Sequence, residues 1–198
     1  MGLRTSTLDF LFQHVGAHPR RICELGNQHL KGDQKFKTGK ELFQSLGWLH
    51  VSMDINGMDG AVSLDLCEAI KDVRLLDSFD LVTNFGTGEH IPDQWMLFKN
   101  IHDLCKFGGH MVHVVSADPK HGSWNYDPLF FEGLARRNGY ILVAKPEIRP
   151  EVKGNHVSCV LLKGNLQPFE NRVGFQGPVR VNDFALYRTM VERRLQPC

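Results

Sequence analysis

The sequence has no apolar run long enough to cross a bilayer, and its opening residues, MGLRTSTLDFLFQHVG, are broken by charged and polar side chains. Neither a membrane span nor a secretory leader is expected, which points to a soluble, cytoplasmic protein. Neither sign of charge is in excess: 23 Lys and Arg stand against 22 Asp and Glu, for a formal net charge of +1. No field of the whole molecule recruits nucleic acid or an acidic membrane, so neither is expected as a partner. There is no CxxC pair. The five cysteines, Cys23, Cys67, Cys105, Cys159 and Cys198, are odd in number and read as reduced thiols, most of them in core runs. Glycine is scarce in one informative place: RRICELGNQHL, residues 20–30, carries Gly26 alone where a dinucleotide fingerprint asks for three glycines.

What is there is an alternation. With 198 residues, 42% of them hydrophobic, the chain can bury one sizeable core and is read as a single domain over 1–198. Helical spacing of Leu8, Leu11, Phe12 and Val15 predicts an N-terminal helix over about 5–16. Apolar runs predict strands at Arg21 to Glu24, Leu49 to Asp54, Ala61 to Leu64, Phe79 to Thr83, His110 to Ser116, Tyr140 to Lys145 and His156 to Leu162. Helices fall near Gly39 to Leu46, Asp93 to Cys105 and Pro128 to Asn138, and LCEAIKDVRLLDS is weakly helical. Strand and helix in turn imply an α/β, three-layer Rossmann-like sandwich with a mostly parallel sheet. The last two strands, joined by the short polar linker PEIRPEVKGN, form an antiparallel hairpin at one edge. A core over about 20–163 is followed by an irregular tail from 164, with a helix expected around Asp183 to Leu195.

In such sheets a ligand sits beyond the carboxyl ends of the strands, and three of the first four present a carboxylate: Glu24, Asp54 and Asp65. A pyrophosphate would be repelled there and would lack the close backbone approach that glycines permit. A ligand with cationic groups, a ribose and a base suits the carboxylates better: Asp54 accepts from ribose hydroxyls and Asp65 from an exocyclic amine. S-adenosylmethionine has these groups. Asp65-Leu66-Cys67-Glu68 equally reads as a helix N-cap with its capping-box partner.

The ordered series ICELGNQ, VSMDING, AVSLDL, FDLVTNFGTGEHI and FGGHMVHVV resembles the motifs of class I S-adenosylmethionine-dependent methyltransferases, over about Arg20 to Leu162. The resemblance implies a seven-stranded sheet with a reversed strand at the edge. It also implies cofactor contacts from Glu24, Gly26, Asn27, Gln28, Asp54, Ile55, Asp65, Leu66, Asn84, Phe85 and Gly86. Two departures stand out. The family's GxGxG is reduced to Gly26-Asn27-Gln28, whose amides are expected to hold the methionine carboxylate, and the interval from Glu24 to Asp54 exceeds the roughly 20 residues of the related fingerprint.

The resemblance implies in-line transfer of a methyl group to an O or N nucleophile of an unidentified acceptor, a small molecule being favoured. His90 in GTGEHIPDQW is the first choice to accept the acceptor's proton, with His113 and His121 behind it. Trp124 and Tyr126 form an expected lip over the pocket or pack beneath it. No metal is expected: His110 and His113, three apart in a strand, face opposite sides, and no HxH or HExxH accompanies them. NFGT lacks the prolines beside an aromatic that nucleic-acid base methyltransferases use. Two other readings stand beside this one. An NAD(P)-dependent oxidoreductase is discriminated by the glycine count, and a degenerate methyltransferase-fold scaffold by cofactor binding without turnover.

Overall fold

The computed structural model describes residues 2–18, 20–32, 35–151, 154–183, 188, 189 and 192. The helix expected around Asp183 to Leu195 lies for the most part outside the described residues. The sheet strands are β1 (Arg21–Leu25), β2 (Leu49–Asp54), β3 (Val62–Ser63), β4 (Phe79–Phe85), β5 (Cys105–Ser116), β6 (Ile141–Glu151) and β7 (Gly154–Leu162). The helices are α1 (Thr5–Val15), α2 (Gly39–Ser45), α3 (Gln94–Leu104) and α4 (Pro128–Asn138).

The sheet runs in the order β3-β2-β1-β4-β5-β7-β6. Pairing is parallel from β3 through β5, and β7 runs antiparallel to both β5 and β6, so a reversed strand closes this edge with β6 outermost. Order reverses between β1 and β4, which makes the carboxyl ends of these two strands the place where adjacent crossovers leave in opposite directions.

Side-chain alternation builds the three layers. Ile22, Leu81, Val112 and Val160 point to one face and pack with Leu11 and Phe10 of α1 and Phe43 of α2. Their neighbours Cys23, Val82, Met111 and Cys159 point to the other and pack with Phe98 and Ile101 of α3 and Phe131 and Leu134 of α4. Both faces of β1 and β4 are therefore covered, which is why consecutive residues such as Ile22-Cys23 and Leu81-Val82 are apolar. The helix starts carry their own signals. Thr38, Asp93 and Asp127 each accept a backbone N–H from three residues on, and Gly139, at φ 64°, ends α4.

Three expectations change. The segment LCEAIKDVRLLDS forms turns, not a helix: Asp65 and Asp72 accept the backbone N–H groups of Cys67 and Arg74, and Asn100 of α3 bonds Ile70 N–H and the Leu66 and Glu68 carbonyls. Backbone groups a helix would have paired internally are thus satisfied locally and by α3. Much of the linker PEIRPEVKGN is strand, with Ile148 opposite Val157 and Pro150 opposite Asn155. Strand β5 starts at Cys105, with a register shift past Phe79 that Gly108, at φ 74°, accommodates.

The tail beyond Lys163 is irregular yet anchored. Glu170 receives Arg137 Nε at 2.7 Å and Asn138 Nδ2 at 2.9 Å, its backbone N–H donates to Asn138 Oδ1, and Phe169 is buried. Among the described residues no helix is long and apolar enough to cross a membrane.

Candidate active site

A cleft of about 280 Å3 opens at the switch point, where β1, β2 and β4 end. Gly26 leaves β1 in the left-handed region (φ 81°) and donates its N–H to the Met53 carbonyl at 2.7 Å. A Cβ at this position would lie 2.5 Å from Thr87 Oγ1 and 2.8 Å from Gln28 Nε2, so both conformation and space demand glycine. The turn then closes on side chains. Asn27 N–H donates to Asp54 Oδ2 at 2.9 Å, the Asn27 amide to Asp59 Oδ2 at 2.6 Å, the Gln28 amide to Thr87 Oγ1 at 3.1 Å, and the Thr87 hydroxyl to the Leu25 carbonyl at 2.7 Å. The amide groups expected to hold a ligand carboxylate are spent here on the turn itself.

Asp54, Asp59 and Asp65 line the cleft, and among the described residues no Lys or Arg does. Asp54 also accepts Asn56 N–H at 3.0 Å, so each of its oxygens is fixed by a backbone donor and keeps a second lone pair for a ligand. Asp65 accepts Cys67 N–H at 2.8 Å while facing the cleft, capping a turn where no helix begins. Ile55, Leu66 and Ile91 supply apolar wall. The result is a slot with a negative rim, suited to a flat apolar group with donors and a cation, and hostile to a pyrophosphate.

Seven predicted cofactor residues come together here: Gly26, Asn27, Gln28, Asp54, Ile55, Asp65 and Leu66, with His90 beside them. Four do not. Glu24 is buried beneath Gly39, where it pairs with His50 Nε2 at 3.3 Å and is set off from the cleft. Burial raises its carboxyl above the usual range, opposed by His50 and by a hydrogen bond from the Gln28 backbone, so it props the turn from behind. Asn84 is buried and accepts Gly88 N–H at 2.9 Å, and Phe85 and Gly86 border a second cavity. Glu24 and Asn84 lie inside their strands and turn into the interior, and the end of β4 at Phe85 and Gly86 opens to the second cavity.

That second cavity, of about 260 Å3, lies on the other side of the segment after β4 and is bordered by Arg4, Lys31, Phe85, Gly86, Glu89 and His121. Gly88–His90 form a single tight turn that sets Glu89 toward this cavity, which His121 from the loop after β5 also borders, and His90 toward the first. Burial pulls the His90 imidazole down to about 4, leaving it neutral at neutral pH. Burial pushes the Glu89 carboxyl up to about 7; the backbone N–H groups of Glu89 and Ser116 oppose this, although neither oxygen receives a hydrogen bond of normal geometry.

His113 is a correction. It lies within the core, its ring centroid 5.7 Å from that of Phe98 and 4.9 Å from that of Phe131, and burial lowers its pKa to about 3. It borders neither cavity, because the register that places Asn84 opposite His113 turns both inward. Trp124 and Tyr126 pack under the loop: Trp124 Nε1 donates to the Ile91 carbonyl and the buried Tyr126 hydroxyl to Gln94. Thr87, Asp59 and Glu89 were missed as site members. The adjacency of Thr87 and Glu89 to His90 in GTGEHI was the available signal; nothing local marked Asp59.

No protein-family model matches the chain, and no curated protein matches it in sequence. Solved structures do. The chain is similar to the 1,6-didemethyltoxoflavin-N1-methyltransferase of Burkholderia thailandensis with bound 1,6-didemethyltoxoflavin and S-adenosylhomocysteine, with a TM-score of 0.59 at 16% identity over 81% of this chain and 78% of that one. It is similar to the N-methyltransferase NodS of Bradyrhizobium japonicum WM9 in complex with S-adenosylhomocysteine (TM-score 0.54, 12% identity, 81% of this chain and 86% of that one). It is also similar to a SAM-dependent methyltransferase from Archaeoglobus fulgidus (TM-score 0.51, 16% identity, 73% and 69%). The chain has the Rossmann-like fold of class I S-adenosylmethionine-dependent methyltransferases.

Proposed function

We propose that the acidic cleft holds S-adenosylmethionine and that the protein transfers its methyl group to an O or N nucleophile of a small molecule held in the second cavity. The observation that carries this reading is the placement of two cavities against one short segment, Gly86 to Ile91, the first edged by Asp54, Asp59 and Asp65 and the second by Arg4 and Lys31. When bound, the cofactor supplies an electrophilic methyl on a sulfonium.

The chain's own residues then have distinct tasks. Asp54, with both oxygens already oriented by backbone donors, accepts from vicinal hydroxyls without reorganising. Ile55, Leu66 and Ile91 keep water from a flat base, and Asp65 accepts from its edge. Glu24 and Thr87 hold the turn at Gly26 in shape. Positive charge from Arg4 and Lys31 suits an acceptor bearing an acidic group. A neutral His90 beside the first cavity, or His121 in the second, receives the acceptor's proton when the nucleophile has one to lose.

The test is binding of S-adenosylhomocysteine to the wild-type protein and to Asp54→Ala. A tenfold or greater loss in the variant is expected, about 1.4 kcal/mol or more for a charge-assisted hydrogen-bonding site. Equal affinities would remove Asp54 from the site and the reading with it.

A further inference from the structure

The turn Gly88–His90 does something the methyl-transfer reading leaves unused. Glu89 is 0% exposed and neither carboxylate oxygen has a hydrogen-bond partner; His90 Nε2 is likewise buried without one. A buried carboxylate is costly unless a cation or donors compensate it. Another ligand-type group stands close by: His121 Nε2 lies 3.8 Å from Glu89 Oε1, and the His121 ring meets the His90 ring edge-on at 5.6 Å. One atom from each of Glu89, His90 and His121 lies within 4.8 Å of the others, and among the described residues no other group of three His, Cys, Asp or Glu converges in this way.

The convergence is built into the backbone. The Asp118–His121 turn, closed by His121 N–H to the Asp118 carbonyl, delivers the histidine, and Ser123 N–H donates to the Glu89 carbonyl at 2.8 Å. Between them Gly122, at φ 78°, lies so close that a Cβ would sit 2.8 Å from Glu89 Cβ. The loop after β5 is thereby docked directly on the turn after β4. Reading histidine spacing alone discounted a metal, because the missing donor was a carboxylate and the partner histidine lay in a different loop.

We propose that Glu89, His90 and His121 bind one divalent transition-metal ion of the zinc class at the junction of the two cavities. Two imidazoles and one carboxylate are a donor set for such ions, and three protein ligands leave positions open for an exogenous oxygen. Metal–ligand bonds of about 2.1 Å place ligand atoms roughly 3.4 Å apart in a tetrahedron, so the group must tighten by about an ångström. His121, whose side chain is half exposed, is the ligand placed to supply that closure by a change of rotamer. Because Glu89 and His121 border the second cavity, the open positions face the acceptor's side. Ion binding itself does not depend on the cofactor reading; only the role of the open positions rests on it: they would grip an acceptor oxygen and acidify it, so that its proton leaves to solvent before methyl transfer and no histidine base is needed.

The experiment is a titration of chelator-treated full-length protein with Co2+, followed by its visible absorption, with Zn2+ in competition. One equivalent per chain is expected, displaced by Zn2+ and weakened at least tenfold in both Glu89→Gln and His121→Ala, while His14→Ala on α1 is unaffected. Near-UV circular dichroism checks the fold of each variant; should the buried Glu89→Gln not fold, the partly exposed His121→Ala carries the test. Absence of a saturable site, or a site that His121→Ala retains at full affinity, overturns the proposal. S-adenosylhomocysteine titrated into the same samples separates the two readings. Metal without cofactor binding would sink methyl transfer alone, and cofactor without metal would sink the metal site alone.

Discussion

Replacing Gly26 by alanine tests the physical account of the turn. Two separable costs are expected. A non-glycine residue at φ 81° pays about 1–2 kcal/mol for left-handed backbone, whatever the space around it. The new methyl would also lie 2.5 Å from Thr87 Oγ1 and 2.8 Å from Gln28 Nε2, an overpacking worth about 1–3 kcal/mol. Gly26→Ala should therefore destabilise by roughly 2–5 kcal/mol, read as a shift in urea midpoint at unchanged slope. Thr87→Ala removes the nearest obstructing atom but leaves Thr87 Cβ at a comfortable 3.6 Å. By itself it costs about 1 kcal/mol for the lost bond to the Leu25 carbonyl. In the double variant the clash with Thr87 is gone while the backbone strain persists, so the two changes should couple favourably by about 1 kcal/mol or more. Strict additivity, or a Gly26→Ala cost under about 1 kcal/mol, would refute the claim that Thr87 and the backbone together demand glycine.

Three further outcomes are expected. Lys163 is 3% exposed and its ammonium donates to Asp77 and to the His102 and Cys105 carbonyls at the end of α3, so Lys163→Met, which keeps the stem, should cost about 2 kcal/mol in chemical denaturation. His113 stays neutral in the folded protein down to about pH 3, whereas an unfolded histidine gains its proton near 6.5; its contribution to stability is intact above pH 6.5 and falls as pH drops, by about 2 kcal/mol at pH 5. His113→Leu should accordingly gain about 2 kcal/mol on the wild type between pH 7 and pH 5 in parallel unfolding curves, and an unchanged difference would mean that the imidazole is solvated. Glu24→Gln, which keeps the acceptor oxygen but removes the charge facing His50, should weaken cofactor binding less than Asp54→Ala does, since it acts only through the turn; a larger loss would put Glu24 in the cleft.

Much of this was legible in the residues, and the parts that were not have identifiable causes. The helix over 128–138 was marked at both ends, by Asp127 with Pro128 and by Gly139, and its bounds came out as read. Strand existence followed from apolar runs, but β5 extends back to Cys105 through an irregularity at Gly108-Gly109, a pair that reads equally well as a loop before the strand. Asp54 and Asp65 line the cleft because the ends of β2 and β3 converge there, whereas Phe85 and Gly86 at the end of β4 border the second cavity. Glu24, Asn84 and His113 were misplaced because, inside a strand, a one-residue difference decides which face a side chain takes. The pairing of Glu89 with His121 depends on two loops meeting, and contacts of that kind are not written in any single stretch of sequence.

Calorimetric titration of the purified protein with S-adenosylmethionine, with NAD as the control ligand, tests the ligand class of the cleft most directly. Asp54, Asp59 and Asp65 at the rim, with no Lys or Arg among the described lining residues, predict saturable micromolar binding of S-adenosylmethionine and no heat with NAD. Binding of NAD, or silence with both S-adenosylmethionine and S-adenosylhomocysteine, would contradict it.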